Sequence, residues 1–200
     1  MSDPPSEGLR CFGANDPVYL RYHDEEWGRP VVDERGLYER VSLEAFQSGL
    51  SWITILRKRE AFRAAFAGFD PDLVADFGED DVTRLLADAG IVRNRQKIEA
   101  TIANARAVLA LREADTPFPD LVLAHRPPER AAAPTDFSTV PGLTPESTAL
   151  ARALRKAGFR FVGPTTAYAL QQAAGHVNDH LAACVVRHDV EAERRRVFGV

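Results

Sequence analysis

Residues 156–184 read KAGFRFVGPTTAYALQQAAGHVNDHLAAC, and this stretch carries the two patterns on which the interpretation of the chain depends. Gly158 can end one helix, and Gly163, followed by a proline, can begin the next. The spacing predicts a helix, a tight turn and a second helix. The free N–H groups at the start of that second helix would suit a phosphate, so nucleic acid backbone is a candidate ligand. The alternative is an ordinary turn between two packed helices.

The second pattern is a pair of side chains that can bind a metal. Asn178 or Asp179 can cap a helix, and on that helix His180 and Cys184 lie four residues apart on one face. Such a pair can supply half of a tetrahedral zinc site, but the same spacing also occurs by chance. The interpretation therefore depends on a second pair elsewhere in the chain.

The N-terminal region contains that second pair. Cys11 is the other of the two cysteines in the chain, and His23 follows it at short range. Together with His180 and Cys184 they make a Cys2His2 set, which predicts one zinc ion that fastens the two ends of the chain. A disulfide is the alternative. A cysteine-poor chain without a secretory signal is more consistent with reduced thiols.

Composition limits the class of protein. The chain has 200 residues, of which 45% are hydrophobic, enough to bury a substantial core as one domain or two lobes. A net charge of −4 argues against a protein that coats DNA through a basic surface, although a local basic patch remains compatible with it. The sequence shows no apolar signal region and no run long enough to span a bilayer, which predicts a cytoplasmic protein without a membrane partner.

Helix-capping residues divide most of the chain into helices. They predict helices after Asp16, from Asp33 to about Ser48, after Asp70, from Asp80 or Asp81 to Gly90, from Asn94 to about Glu113, and from Thr144 into the turn described above. Trp52 begins a further helix that ends near Phe66, and a short one is predicted around Leu121. No stretch alternates as a strand would, so the predicted fold is all-α.

An aromatic stripe lies on the first of these helices. Tyr19, Tyr22 and Trp27 fall on the same side as His23 at helical spacing. Aromatic stripes usually belong to a core, with their polar ends at its rim. The other interpretation is an aromatic wall beside a metal ligand. Glu44 poses a similar choice on the second helix, where it is either a solvated residue at the edge of the apolar stripe or a carboxylate turned into a pocket.

Several motifs in fixed order carry a resemblance to a known family. They are DPVY at 16–19, YHDEEWG at 22–28, LE at 43–44, GLSWIT at 49–54, GIVR at 90–93, GFRFVG at 158–163 and VNDH at 177–180. The chain resembles the bacterial 3-methyladenine DNA glycosylase I family of the helix-hairpin-helix glycosylase superfamily. The resemblance covers nearly the whole chain, from Cys11 to about Cys184.

The resemblance implies an activity and a set of site residues. It implies a monofunctional enzyme that hydrolyses the N-glycosidic bond of 3-methyladenine in alkylated double-stranded DNA and so begins base-excision repair. The implied catalytic residue is Glu44, and the implied base pocket consists of Tyr19, Tyr22, Trp27, Glu44 and Trp52. The implied structural zinc ligands are Cys11, His23, His180 and Cys184. The implied DNA contacts lie in the turn, at Gly158, Phe159, Val162, Gly163 and Thr165.

The expected domain organisation has three parts. Residues 1–10 are expected to form a disordered tail, residues 11–187 a single helical domain whose two lobes share the base pocket, and residues 188–200 a C-terminal tail. A monomer is expected. The chain departs from the family pattern in one place, because Phe12 stands near the position where the family usually has a tryptophan. Asp179 is the nearest candidate for the aspartate that the superfamily often uses, but its short distance from the turn argues against that role.

Two further hypotheses remain at this stage. One is a zinc-stapled module that binds damaged DNA without cutting it, against which a carboxylate among aromatic residues argues. The other is a thiol redox protein, against which the lack of a C-x-x-C arrangement argues.

Overall fold

The computed structural model describes residues 8–13 and 16–199, and in these ranges the protein is helical. The sole β-type pairing in this part of the chain is an isolated bridge between Leu9 and Cys184. The all-α prediction is therefore confirmed. Residues 1–7 of the predicted N-terminal tail lie outside the described residues. None of the described helices combines the length and apolar character that crossing a membrane requires.

The described residues form ten α-helices. They are α1 (Pro17–Glu25), α2 (Glu34–Gln47), α3 (Trp52–Ala65), α4 (Pro71–Ala75), α5 (Glu79–Ala87), α6 (Arg95–Glu113), α7 (Phe118–Leu123), α8 (Pro145–Lys156), α9 (Pro164–Ala173) and α10 (Arg187–Phe198). Two short 3-10 helices, at Ala67–Phe69 and Phe137–Thr139, complete the set.

The predicted caps account for most of the helix starts. Side-chain oxygens of Asp16, Asp33, Asp70, Asn94 and Thr144 each accept a hydrogen bond from a backbone N–H in the first turn that follows. Helix α5 begins earlier than predicted, because its N-cap is Gly78. The Asp81 carboxylate accepts a hydrogen bond from the Gly78 N–H at 3.1 Å. Residues 79 and 80 therefore belong to the first turn of the helix.

The core forms around α2, which packs against α3, α6 and α9. Several of its fully buried side chains are phenylalanines, and the Phe46 and Phe62 rings lie 4.6 Å apart. Helix α8 packs on α9, so the two helices that flank the glycine turn form one unit on the core. Helix α1 packs on α3, which in turn packs on α2, and these three helices carry most of the aromatic residues singled out in the sequence analysis.

The segment from Asn178 to Cys184 is not helical, and that prediction is wrong. The Asn178 side chain accepts a hydrogen bond from the His180 N–H at 3.3 Å, as a cap would, but no helix follows. Long-range bonds replace the helical ones, because the Ala182 N–H donates to the carbonyl of Pro134 at 2.8 Å and Cys184 pairs with Leu9. Local capping preference could not reveal those distant partners.

The C-terminal residues also differ from the predicted tail. Residues 188–198 belong to α10, and Arg194 on this helix is fully buried. The Arg194 guanidinium donates to the carboxylate of Glu129 at 2.7 and 3.0 Å and to the carbonyl of Gly175 at 2.7 Å. The helix is polar overall, so its sequence resembles a solvated tail. Its carboxylate partner Glu129 and its carbonyl partner Gly175 are distant in sequence, so the local sequence does not show that this arginine is buried.

Candidate metal centre and aromatic pocket

Four potential metal ligands converge at one point. The ligand atoms of Cys11, His23, His180 and Cys184 all lie within 4.8 Å of one another. The Cys184 Sγ lies 3.5 Å from the His23 Nε2 and 3.4 Å from the His180 Nδ1, and the Cys11 Sγ lies 3.6 Å from that same Nδ1. The predicted meeting of the two Cys/His pairs is confirmed, although His180 and Cys184 reach it from a loop.

Each histidine is oriented by an acceptor on its far side. The His180 Nε2 donates to the carbonyl of Trp27 at 3.0 Å, and the His23 Nδ1 donates to the Asp24 carboxylate at 2.7 Å. Since neither acceptor can donate, these ring nitrogens carry the hydrogens, and the other nitrogen of each ring faces the cysteine sulfurs. Asp24 follows a ligand directly in the sequence, and that adjacency is the signal that would have identified it.

The two thiols differ in their proton affinity. The pKa of Cys184 is lowered, mainly by its hydrogen bond with Cys11 and further by the ring nitrogens of His180 and His23. The pKa of Cys11 is raised, mainly by the same contact with Cys184. Two soft sulfur donors and two imidazole nitrogens in one small, largely buried cluster make a donor set that suits a tetrahedral metal ion.

The five residues assigned to the base pocket by resemblance all line one cavity. Tyr19 and Tyr22 come from α1, Trp27 follows α1, Glu44 comes from α2 and Trp52 begins α3. The cavity has a volume of about 230 Å³. Its other lining residues are Phe12, Gln47, Phe137, Ala169 and Gln172. The aromatic stripe of α1 is therefore a pocket wall as well as part of a buried cluster.

Phe12 and Phe137 form one side of this pocket. The Phe12 ring lies 4.9 Å from the Tyr19 ring and 5.0 Å from the Trp27 ring. The Phe137 ring stacks on the Trp27 ring, with 6.1 Å between the ring centroids. Phe137 belongs to a 3-10 helix in the proline-containing loop. Sequence reasoning missed Phe137, because a single aromatic residue in an irregular loop has no periodic pattern.

Glu44 lies in the pocket wall with only 8% of its surface exposed. Burial raises the pKa of Glu44 to about 8, although the positive charge of Arg40, one turn earlier on α2, lowers it. Burial also raises the pKa of Tyr19 and of Tyr22, and the nearby Glu44 carboxylate adds to both shifts. A carboxyl group with so high a pKa in an aromatic cavity is a frequent mark of a functional site.

The cluster of four potential ligands and the pocket share a wall. The Trp27 ring lies 4.6 Å from the His180 ring, and the Trp27 carbonyl accepts the hydrogen bond from His180. Phe12 follows Cys11 directly in the chain, and its ring lies 4.8 Å from the His23 ring. Any ion that fixes the four ligands therefore also fixes Phe12 and Trp27.

The turn between α8 and α9 is held in place by a buried side chain of α6. The Asn104 amide on α6 donates to the carbonyl of Arg160 at 3.2 Å and accepts from the N–H of the same residue at 2.7 Å. The Phe159 and Val162 side chains are buried in the core. These two predicted DNA contacts can therefore reach a partner only through their backbone, whereas Gly158 and Thr165 are exposed.

Asp179 does not line the pocket and is almost fully buried. Its carboxylate accepts hydrogen bonds from the Tyr168 hydroxyl at 2.5 Å and from the Gln172 amide at 2.9 Å. The expectation that it is not the catalytic aspartate agrees with this placement. Asp179 lies one side chain behind the pocket, with Gln172 between the two.

A second, larger cavity has a different character. It has a volume of about 300 Å³ and lies between α5 and α6, where Glu79, Glu99 and Arg106 line it. Both glutamates pair with Arg95, at 2.9 and 3.2 Å, and Arg106 donates to the carbonyls of Ala75 and Phe77. These charges are already satisfied, whereas Glu44 lies in its cavity with a raised pKa.

Comparison with known proteins gives consistent matches. The sequence profile of the methyladenine glycosylase family matches residues 12–188. The chain is 49% identical over 179 residues to DNA-3-methyladenine glycosylase 1 of Escherichia coli (strain K12), a match that covers 88% of this chain and 95% of that protein.

Solved structures give the same result. A crystal structure of 3-methyladenine DNA glycosylase I superposes with a TM-score of 0.85 at 47% identity, over 88% of this chain and 98% of that one. A tyrosine-to-phenylalanine variant of 3-methyladenine DNA glycosylase I in complex with 3-methyladenine superposes with a TM-score of 0.84 at 35% identity, over 88% of this chain and 96% of that one.

Proposed function

The chain belongs to the methyladenine glycosylase family, and from this membership we propose that its aromatic pocket is where 3-methyladenine is cut from DNA. The activity is that of a DNA-3-methyladenine glycosylase, which releases the free base and so begins base-excision repair. The observation that carries the assignment of the pocket is the carboxyl group of Glu44, buried among Tyr19, Tyr22 and Trp52 with a pKa of about 8.

The chemistry of the substrate explains why such a pocket is sufficient. Methylation at N3 gives adenine a positive charge, so the base leaves as a neutral molecule and the glycosidic bond is already weak. Little general-acid catalysis is needed. The protein must extrude the nucleotide, at a cost of a few kcal/mol in lost stacking and pairing, and must bind the damaged base better than a normal one.

The aromatic residues supply part of that preference. Electron-rich faces of Tyr19, Tyr22 and the two tryptophans attract a cationic purine, and each good contact contributes roughly 0.5–2 kcal/mol. An uncharged adenine gains much less from the same faces. Selectivity for the damaged base and stabilisation of its bound state therefore come from the same side chains.

Glu44 supplies the charged acceptor. In the free protein its pKa of about 8 keeps it mostly protonated at neutral pH. A cationic base beside it favours the carboxylate, so binding of the base lowers the pKa and ionises the group. The carboxylate then accepts hydrogen bonds from the exocyclic amino group and stabilises the positive charge. Glu44 is thus the residue to which we assign the catalytic role.

DNA is held by the turn between α8 and α9. The first N–H groups of α9 have no intrahelical acceptor, and with the exposed Gly158 and Thr165 and the half-buried Gly163 they present donors to a phosphate beside the extruded nucleotide. The buried Phe159 and Val162 anchor this turn. Such a helix-hairpin-helix contact with double-stranded DNA uses the local dipole, so it is compatible with a net charge of −4.

The four-ligand cluster fits a structural zinc ion. Zinc with Zn–S bonds of about 2.3 Å and Zn–N bonds of about 2.0–2.1 Å in tetrahedral geometry holds sulfur and nitrogen about 3.6 Å apart. The sulfur–nitrogen distances from Cys184 and Cys11 are 3.4–3.6 Å. Zinc bound there would fasten the N-terminal segment to the loop before α10. We assign Cys11, His23, His180 and Cys184 as its ligands.

We further propose a monomeric, cytoplasmic protein in which the glycosylase domain begins at residue 11, includes α10, and has two lobes that share the base pocket. Free cysteines that serve as metal ligands support a reducing compartment.

The direct test is incubation of the purified protein with methylated DNA, followed by chromatography of the released bases. Free 3-methyladenine is the expected product. Binding to the DNA without release of a base would instead support the alternative function, a zinc-stapled module that recognises damaged duplex. The raised pKa of Glu44 argues against that alternative, because a protein that contacts only backbone has no use for a buried carboxyl group in an aromatic pocket.

Phe12 offers a test of the one departure from the family pattern. Phenylalanine attracts a cation less strongly than tryptophan, so free 3-methyladenine is expected to inhibit this enzyme weakly. Replacing Phe12 by alanine removes a pocket wall, and we expect a further several-fold weakening of product inhibition with catalysis retained. Product-inhibition constants of the parent and the variant provide the measurement. Unchanged inhibition with normal activity would show that this segment serves only the metal cluster.

A further inference from the structure

Gln172 on α9 lines the pocket, and its side chain is held in one orientation. The Nε2 atom donates to the Oδ2 atom of Asp179 at 2.9 Å. Gln172 is half-buried and lines the pocket from α9, whereas Tyr19, Tyr22 and Glu44 line it from α1 and α2. The role proposed above for Glu44 leaves this polar side chain of the pocket without a function.

Asp179 is itself fixed by two other residues. Besides Gln172, the Tyr168 hydroxyl donates to its Oδ2 at 2.5 Å, and the Arg130 Nε lies 2.7 Å from its Oδ1. The N–H of that nitrogen does not point at the oxygen, so the contact with Arg130 is an ion pair rather than a hydrogen bond. Arg130 also donates to the Tyr168 hydroxyl at 3.0 Å. The carboxylate is fully buried and cannot turn away.

This network decides which way the Gln172 amide faces. A carboxylate has acceptors only, so the amide must direct its NH2 group toward Asp179. The carbonyl oxygen, Oε1, is then the polar atom of Gln172 that remains for the pocket. With Glu44 ionised by a bound cation, the pocket presents hydrogen-bond acceptors from α2 and from α9 to the edge of the base.

The two N3-methylated purines differ in what they present to such acceptors. Adenine carries an amino group at position 6, which donates, whereas guanine carries a carbonyl oxygen there, which only accepts. When two acceptors face each other in a buried site, neither atom has a hydrogen bond. The binding free energy then falls by more than the loss of one hydrogen bond, because both atoms have also lost their water.

We propose that Gln172, oriented by Asp179, is a specificity-determining residue whose side-chain carbonyl reads the amino group of 3-methyladenine and disfavours 3-methylguanine. The inference rests on the proposed function of the pocket. Gln172 would touch the base, whereas Asp179 acts through Gln172 and is a positioning residue. This assigns a purpose to a buried aspartate that otherwise lies behind the site.

The test compares release of the two purines from one methylated DNA. Replacing Gln172 by methionine keeps the length of the side chain and removes the acceptor, so the ratio of kcat/KM for 3-methyladenine over 3-methylguanine should fall about tenfold. Gln171→Met is the matched control, because that side chain donates to the carbonyl of His125 and does not line the pocket. It should leave the ratio unchanged.

Asp179→Asn tests the positioning role. Asparagine can both donate and accept, so the Gln172 amide is no longer forced into one orientation, and the ratio should fall without the loss of folded protein. Ratios within twofold of the parent in both variants, with thermal unfolding unchanged, would overturn the inference. Loss of folding in both would also overturn it, since the network would then be purely structural. A parent that releases no 3-methyladenine would instead overturn the proposed function.

Discussion

Replacing Glu44 by glutamine is expected to slow the release of 3-methyladenine by about 10- to 100-fold, the effect of losing a hydrogen bond to a charged group. Glutamine keeps the size of the side chain but cannot become an anion beside the cationic base. The parent should also show a kcat/KM that rises with pH through about 8, as Glu44 ionises in the free enzyme. That rise should be absent from the variant. Rates of base release between pH 6 and 9 provide the measurement.

The same substitution should stabilise the fold at high pH. The pKa of Glu44 is raised from 4.5 to about 8 in the folded protein, so the folded state holds more protons than the unfolded state between these values. The contribution of this group to the free energy of unfolding is therefore full below about pH 4.5 and is lost as the pH rises through about 8. Glutamine does not titrate, so the free energy of unfolding of Glu44→Gln should not show this decrease. Denaturant unfolding of the parent and the variant at pH 5 and pH 8 would measure the difference.

Glu39→Gln is a suitable control for both measurements. Glu39 lies on the same helix, and its carboxylate pairs with Arg63 at 2.7 Å outside the base pocket. The Glu39→Gln variant should release 3-methyladenine at the parental rate. If Glu44→Gln also released the base at the parental rate, the assignment of catalysis to Glu44 would be wrong. If it failed to fold cooperatively, Glu44 would be a structural residue instead.

The parts of the fold that the sequence predicted depend on short-range interactions. Asp16, Asp33 and Asn94 cap the helices that follow them, because a capping side chain bonds to N–H groups two or three residues away. The same reasoning failed at Asn178, where the local bond forms but distant carbonyls and the bridge to Leu9 determine the backbone. Local pattern and tertiary contact compete there, and tertiary contact prevails.

The candidate site was also predicted only in part. The two Cys/His pairs could be found from residue spacing without the family resemblance, because two cysteines in 200 residues leave few combinations. The pocket residues of α1, α2 and α3 required the family resemblance, since an aromatic stripe also suits a core. Gln172 and Phe137 could not be found in either way. Their function depends on the side chains that face them, and no spacing in the sequence records that.

Replacing Cys184 by serine is expected to remove the bound zinc and to lower the thermal unfolding midpoint by about 10 °C or more. The folded chain holds the ligands in place and the unfolded chain does not, so the free energy of metal binding stabilises the fold. For a chain of this size each kcal/mol shifts the midpoint by roughly 2–4 °C, and the loss of a structural metal exceeds a few kcal/mol. The parent should contain about one zinc ion per chain. Metal analysis and thermal unfolding provide both values.

A pair of histidine substitutions separates the metal from other causes of instability. His180→Gln should lose zinc as the cysteine variant does, whereas His188→Gln should retain it, because His188 is exposed and lies outside the cluster. Zinc loss should also reduce base release, since the cluster positions Trp27 and Phe12 in the pocket wall. A parent without zinc, or a Cys184→Ser variant with unchanged zinc content and unfolding midpoint, would show that the four ligands converge without holding a metal, and that hydrogen bonds alone join the N-terminal segment to the loop before α10.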